Sequence, residues 1–439
     1  MVRGFMDYRD YITYFRTENT ETQAAQTPAY VFDTDALRSR VEFIRAATGG
    51  RVRIIYAIKA NPFLVPYLVD VVDAYEICSP GEERICERYG IPASMMVLSG
   101  VNKQAGDFEH AFDYAASGDT DGLPVCTVES LSQLEMLSRT VKSEILLRVT
   151  SGNQFGLDPE DVVKIVRERE KYPNLKIIGL QLYTGTQKTR KKIIEREVRK
   201  IDELIARIKE ECGYEISEFE YGPGLPVNYF VDGDPVDDAD VLSHVMECLD
   251  GMQWKGTVSL EMGRFLAAGC GSYVTRIVDI KHSRGVNYCI VDGGIHQINY
   301  FGQKMAMRYP FMLMKNGTTE ELCAKGSETG DTSPEGTASA AENADCTAER
   351  VCSETATENY EICGSLCTVS DVIIRQVPLA NPETGDILVF ERTGAYSVTE
   401  GISLFLSRDL PRIYIKNGTE LREIRKQIQT EELNYGRNY

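Results

Sequence analysis

Between residues 52 and 262, short apolar runs alternate with amphipathic stretches, and this alternation restricts the fold more than any other feature of the chain. Strand-like runs fall near 52–59, 74–79, 95–100, 125–129, 144–150, 177–183, 218–222 and 257–262. Helical patterns lie between them, near 64–72, 81–89, 104–116, 130–140, 159–171, 189–211 and 236–250. Parallel neighbours in a sheet need a crossover, and a helix is the usual one. Eight strands separated in this way predict an α/β fold, the (β/α)8 TIM barrel. A doubly wound open sheet shows the same alternation and stands as the alternative.

Outside that window the pattern changes. Thr27-Pro28-Ala29-Tyr30-Val31-Phe32 reads as one strand, and Asp33 or Thr34 can cap the helix carrying Leu37, Val41 and Ile44 at helical spacing. After about residue 271, strands at 273–278, 288–291 and 387–390 have few helices between them, which predicts a C-terminal β-rich, β-barrel-like domain. The expected division is a barrel over 33–270 and a β-rich domain built from 1–32 and 271–439. Residues 326–345 are rich in Ser, Thr, Glu and Gly. They carry too few large apolar side chains to offset the entropy of ordering, so a disordered insertion is expected there.

Composition narrows the function. The 439 residues suffice for two domains with sizeable cores, and 43% hydrophobic with 26% charged content is that of a globular protein. No apolar run is long enough for a membrane span, and the first residues show no secretory signal. A net charge of −18 argues against nucleic acid as a partner. The 12 cysteines form no Cys-x-x-Cys pair, so reduced thiols, a cytoplasmic location and no metal site are expected.

Barrel enzymes carry their chemistry at the C-terminal ends of the strands. Lys59, in Tyr56-Ala57-Ile58-Lys59-Ala60-Asn61-Pro62, sits at the end of the first. An ordinary lysine there packs its stem and sends its ammonium to water. An amine held in a semi-apolar cleft would instead have a lowered pKa and could form a Schiff base. Glu76 ends the second strand, Arg148 the fifth and Tyr183 the sixth. Gly222-Pro223-Gly224 follows the seventh and Glu261-Met262-Gly263-Arg264 the eighth. Glycines after strand seven let backbone N–H groups approach phosphate, although a Gly-Pro-Gly turn alone is commonly only a turn. Glu261 and Arg264 alone could be an ordinary ion pair.

Taken together and in order, these pieces resemble the diaminopimelate/ornithine decarboxylase family, enzymes dependent on pyridoxal 5'-phosphate with an alanine-racemase-like fold. The resemblance runs from Tyr30 to about Leu410, the 326–345 insertion excepted. It implies that Lys59 holds the cofactor, that Gly222, Gly224, Gly263, Arg264 and Tyr396 surround its phosphate, and that Glu261 meets its ring nitrogen. Glu76, Arg148 and Tyr183 complete the implied cofactor shell. The segment Cys367-Thr368-Val369-Ser370-Asp371 is similar to the one in which a cysteine reaches a dimer partner's site. Cys367 is then catalytic, with Thr368, Asp371 and Tyr300 at the substrate and a homodimer as the assembly.

Departures from the family shape the substrate expectation. Tyr183 replaces a histidine that stacks on the cofactor, and Glu76 replaces an aspartate. Thr368 replaces an acid that pairs with a distal amine, and Tyr300 replaces an arginine six residues after Asp292-Gly293-Gly294. The Cys-Thr-x-x-Asp wording is similar to that of members acting on carrier-linked aminoacyl groups, so the expected substrate is a small-molecule or carrier-linked amino acid. The basic stretch from Lys188 to Lys200 reads as a solvated helix face, or as a dock for an acidic carrier. A racemase or other lyase on the same scaffold is the alternative, and Glu261 counts against it, because a carboxylate keeps the ring a strong electron sink. A non-catalytic relative that carries the cofactor or binds a partner is a third reading.

Overall fold

The computed structural model describes residues 6–15, 24–117, 122–300, 304–315, 317–321 and 357–436; the stretch 326–345 lies outside them. Helix α1 (Tyr8–Phe15) precedes strand β1 (Ala29–Asp33) and helix α2 (Thr34–Ala47). Asp33 is the cap: its carboxylate accepts the N–H groups of Asp35 and Ala36, two donors that an uncapped first turn leaves unpaired.

Eight parallel strands then close on themselves. They are β2 (Arg53–Ala57), β3 (Ala74–Ile77), β4 (Met96–Leu98), β5 (Val125–Val128), β6 (Ser143–Arg148), β7 (Leu175–Tyr183), β8 (Glu218–Gly222) and β9 (Thr257–Met262). β9 pairs back onto β2, Glu261 opposite Ile55, which closes the barrel and excludes the open sheet. The helices on its outside are α3 (Pro80–Arg88), α4 (Ala105–Ser117), α5 (Leu131–Thr140), α6 (Pro159–Arg167), α7 (Lys191–Cys212), α8 (Asp238–Asp250) and the short α9 (Arg264–Ala267). Helix α7 buries the stripe of Ile194, Val198, Ile201, Ile205 and Ile208 against the barrel, each such side chain contributing about 1.5–3 kcal/mol. Gly213 ends it in the left-handed region, φ 57°, where a Cβ would be strained.

The helix expected over 64–72 does not form. Pro62–Tyr67 is a 3-10 segment instead, because Pro62 and Pro66 supply no backbone donors for an α-helical ladder.

The second body is a ten-stranded mixed sheet. Its C-terminal strands are β10 (Gly271–Ser283), β11 (Val286–Val291), β12 (Met312–Met314), β13 (Gly317–Thr318), β14 (Thr357–Cys363), β15 (Val372–Ala380), β16 (Ile387–Phe390), β17 (Arg412–Asn417) and β18 (Glu420–Arg425). β1 runs between β10, antiparallel, and β17, parallel, so the N-terminal strand joins this sheet. No described helix is long and apolar enough to cross a membrane.

Candidate active site

Lys59 stands one turn beyond β2, in the 3-10 segment Ile58–Ala60. Its Nζ lies 2.9 Å from Glu76 Oε2, 3.4 Å from Glu261 Oε1 and 3.7 Å from Cys78 Sγ. The Tyr183 ring centroid is 5.8 Å away. The three strand ends that the sequence singles out therefore converge on one amine. Its protonation is not the expected one. Burial opposes charge on Lys59, but Glu76 and Glu261 outweigh it and hold the ammonium well above the ordinary lysine range. The same field splits the two carboxyls. On Glu76 the Lys59 ammonium overcomes burial and lowers the pKa, whereas burial and the charge of Glu76 raise that of Glu261. Desolvation alone therefore does not free the Lys59 amine of its proton here.

The far end of the cavity is built from glycines, a guanidinium and a phenol. Gly224 has φ 62°, and a Cβ there would overlap the Gly185 carbonyl oxygen. A Cβ on Gly222 would come 2.6 Å from the Tyr183 ring, and one on Gly263 3.0 Å from Ala60 Cβ. Arg264 follows at the start of α9; it donates from Nη1 to the Tyr229 hydroxyl at 2.8 Å and lies 4.4 Å from the centroid of the Tyr396 ring. Tyr396 is tied to the lysine turn through its backbone, N–H to Ala60 carbonyl, 2.6 Å.

Arg148 sits to the side of Lys59. Its Nη1 is 3.3 Å from Glu129 Oε1, its guanidinium faces the Phe155 ring at 4.8 Å, and its charge helps to lower the pKa of Glu76. Glu129 and Lys103, which sequence reading did not single out, form a buried charged cluster with Arg148. The Lys103 ammonium is 3.8 Å from Glu129, and burial pushes its pKa down to about 8. Glu220, two residues before Gly222, was missed as well.

The cysteine segment lies elsewhere on the same chain. Cys367 is exposed, in the loop between β14 and β15, and does not line the Lys59 cavity. Val369 beside it is 97% exposed. The Asp371 carboxylate is buried and accepts N–H groups from Leu366 at 2.7 Å and Ile295 at 2.9 Å, so it clamps the cysteine loop to the turn after Asp292-Gly293-Gly294. Thr368 Oγ1 pairs with Ser370 Oγ at 3.0 Å. Tyr300, expected at the substrate, is fully buried: its hydroxyl donates to the Glu391 carbonyl and its ring packs 5.5 Å from Tyr229. The structure gives Tyr300 a packing place behind Tyr229 and Arg264, and gives Asp371 a loop-fixing one.

A family model, the pyridoxal-binding domain of pyridoxal-dependent decarboxylases, matches residues 34–268. The chain belongs to this family. Among curated relatives, a diaminopimelate decarboxylase of Zymomonas mobilis is 24% identical, with 93% of this chain and 91% of that protein covered. An L-glutamyl-[BtrI acyl-carrier protein] decarboxylase of Niallia circulans is 22% identical, with 94% of each covered. The crystal structure of diaminopimelate decarboxylase from Helicobacter pylori, complexed with L-lysine, superposes with a TM-score of 0.74 at 20% identity, covering 94% of this chain and 96% of that one.

Pyridoxal phosphate is the cofactor of this decarboxylase family, and the residues present fit it. Lys59 would supply the amine, the glycine cradle with Arg264 and Tyr396 would supply a cation and a hydroxyl suited to phosphate, and Glu261 would supply an acid for a pyridine nitrogen. Bound there, the cofactor provides an electron sink for the pair left when an α-carboxylate departs as CO2. The chain's own groups do the remaining work. Lys59 would hold and release the cofactor, Glu261 would govern the proton at the ring nitrogen, and Tyr183 would present an aromatic face where a histidine is usual. Family membership, with an acid rather than an arginine at position 261, favours decarboxylation over the racemase and non-catalytic readings.

Proposed function

We propose that this decarboxylase removes the α-carboxylate of an amino acid whose distal end is neutral or joined to an acyl carrier, and that it works as a cytoplasmic homodimer. The observation that carries the substrate reading is Thr368. A hydroxyl already engaged with Ser370 stands where a free diamino acid would need an anion for its distal ammonium. In this reading Cys367 of the partner subunit returns a proton to the α-carbon. The exposure of Cys367 and Val369 supports that assignment, since a group that must reach across an interface cannot be packed within its own protomer. The nine described cysteines are all free thiols, which suits a reducing compartment.

A carrier-linked substrate also needs a landing surface. α7 starts at the barrel's C-terminal face, eight residues after Tyr183. Lys188 is buried against Glu197 and Lys191 pairs with Asp240, so these two are spoken for. Arg190, Lys192 and Arg196 are exposed and have no ion-pair partner among the described residues. In a chain of net charge −18 they form a local basic face suited to an acidic carrier protein.

Steady-state kinetics test this. The expected outcome is higher kcat/KM on a carrier-linked amino acid than on free lysine, ornithine or diaminopimelate. Charge reversal at Arg190, Lys192 and Arg196 should raise KM for the carrier-linked substrate alone. Efficient turnover of free diaminopimelate would sink the substrate reading and leave the decarboxylase standing.

A further inference from the structure

The interior of a (β/α)8 barrel is usually filled with branched apolar side chains. Here one level of it is polar. Glu76 of β3, Gln181 of β7, Glu220 of β8 and Glu261 of β9 are 2%, 0%, 2% and 7% exposed. Carboxylate oxygens of the three glutamates all lie within 4.8 Å of one another. Among the described residues, the one cation paired with the set is Lys59, which meets Glu76 and Glu261. Three ionised carboxylates around one ammonium would leave a net charge of about −2 in a desolvated tube, which such a site avoids by retaining protons.

The hydrogen bonds say which carboxyl retains one. Gln181 Nε2 donates to Glu220 Oε1 at 2.5 Å, yet Gln181 Oε1 is buried with no hydrogen-bond donor among the described residues. A buried amide oxygen left unpaired is costly, and the nearest remedy is an O–H on the glutamate that its own N–H already meets. We infer that Glu220 is a neutral carboxylic acid, joined to the Gln181 amide by a reciprocal pair of hydrogen bonds, and that it acts as a positioning residue for Glu76 and Glu261. By staying uncharged it leaves Glu76 as the anion beside Lys59 and Glu261 as the one acid available to a ring nitrogen. Burial first, then the charge of Glu76, pushes Glu220 up to about 8; Gln181 and Arg53 pull it down and Glu218 pushes it up.

The sign of the pH effect follows. Glu220 is protonated in the fold and ionised in the unfolded chain between its usual pKa near 4.5 and about 8, so its contribution to stability declines as pH rises through that window and is gone above it. Glu220→Gln keeps the shape and neutrality of the acid but cannot ionise; Glu220→Ala removes the partner of Gln181 altogether. The cofactor-loaded enzyme is melted between pH 5 and 9, and infrared spectra are recorded near pH 7 on wild type and both variants. The expected result is that Glu220→Gln melts above wild type at pH 8–9, with the gap closing toward pH 5. Its spectrum should lack one protonated-carboxyl carbonyl band, and Glu220→Ala should melt lower at every pH. If Glu220→Gln tracks the wild-type pH dependence and all protonated-carboxyl bands survive, Glu220 is ionised in the fold and the inference is overturned. It is overturned equally if Mg2+ or Mn2+ stabilises wild type but not Glu220→Gln, because the three carboxyls would then be metal ligands.

Discussion

The side-chain amide of Asn61 donates to the backbone carbonyl of Gly394 at 2.9 Å, joining positions 333 residues apart. Asn61 directly follows the Lys59 turn and Gly394 opens the Gly-Ala-Tyr segment. With the Tyr396 N–H to Ala60 carbonyl bond, it fixes the amine of the barrel against the phenol of the second sheet. The Lys59 cavity is thus lined from two bodies, and the Asn61 amide is one of the buried hydrogen bonds that cross the seam.

Asn61→Ala should therefore act on both stability and cofactor retention. Asn61 is fully buried, and its Oδ1 also accepts the Phe63 N–H, so the change leaves a donor and an acceptor unpaired. Each such loss costs about 1–3 kcal/mol. Thermal melting should show the loss in the apoprotein, and cofactor titration should show weaker binding than in wild type. Unchanged cofactor affinity would mean that the seam does not set the site.

Cys367 and Lys59 give a test of shared sites. Lys59→Ala should purify without the visible cofactor band and without activity. Cys367→Ala should bind cofactor yet lose roughly 10²–10⁴ in rate, the usual contribution of a positioned proton donor. Mixing the two should restore part of the activity, since one hybrid site has both residues intact. Failure to recover after subunit exchange has been verified would argue that each chain works alone.

The barrel and the strand-end residues were legible because they depend on local signals. Apolar runs with regular punctuation marked β2 to β9, and Lys59, Glu76, Tyr183 and Glu261 fell at the ends that the architecture selects. What the sequence hid is what distant contacts decide. Lys59 reads as a desolvated amine until two carboxylates from other strands are placed beside it. Tyr300 reads as a substrate contact until the ring of Tyr229 and the carbonyl of Glu391 enclose it. Lys188 reads as part of a solvated basic face, but the fold buries it with Glu197 at 2.8 Å. Glu220 and Gln181 are ordinary residues of an alternating strand, and only the closed barrel sets them beside Glu76 and Glu261.

His296 predicts acid sensitivity of the β-rich body. Its side chain is buried beside Arg408, its Nδ1 has no hydrogen-bond partner among the described residues, and burial with that arginine lowers its pKa to about 4. The unfolded chain binds this proton near pH 6.5, so the stability that His296 contributes by staying neutral is present above 6.5 and is lost as pH falls toward 4. Melting temperature should drop across that interval, and His296→Phe should drop less than wild type. An equal fall in both would assign the acid loss to carboxylates alone.

In the proposed reading, substrate choice turns on position 368. A charge-assisted hydrogen bond to a distal ammonium contributes about 1.5–3 kcal/mol, equivalent to roughly ten- to a hundredfold in affinity. Thr368 can offer only a neutral hydroxyl, and Ser370 competes for it at 3.0 Å. Thr368→Glu would place an anion beside Cys367 on a loop that Asp371 holds through the Leu366 and Ile295 N–H groups, so the new carboxylate would be carried by a fixed backbone. The variant should gain roughly ten- to a hundredfold in kcat/KM on free lysine or ornithine and lose activity on carrier-linked or neutral derivatives. The measurement is the ratio of the two specificity constants, which cancels any general loss from altered folding or cofactor loading. A ratio that stays put would mean that the distal end of the substrate is read by groups other than residue 368.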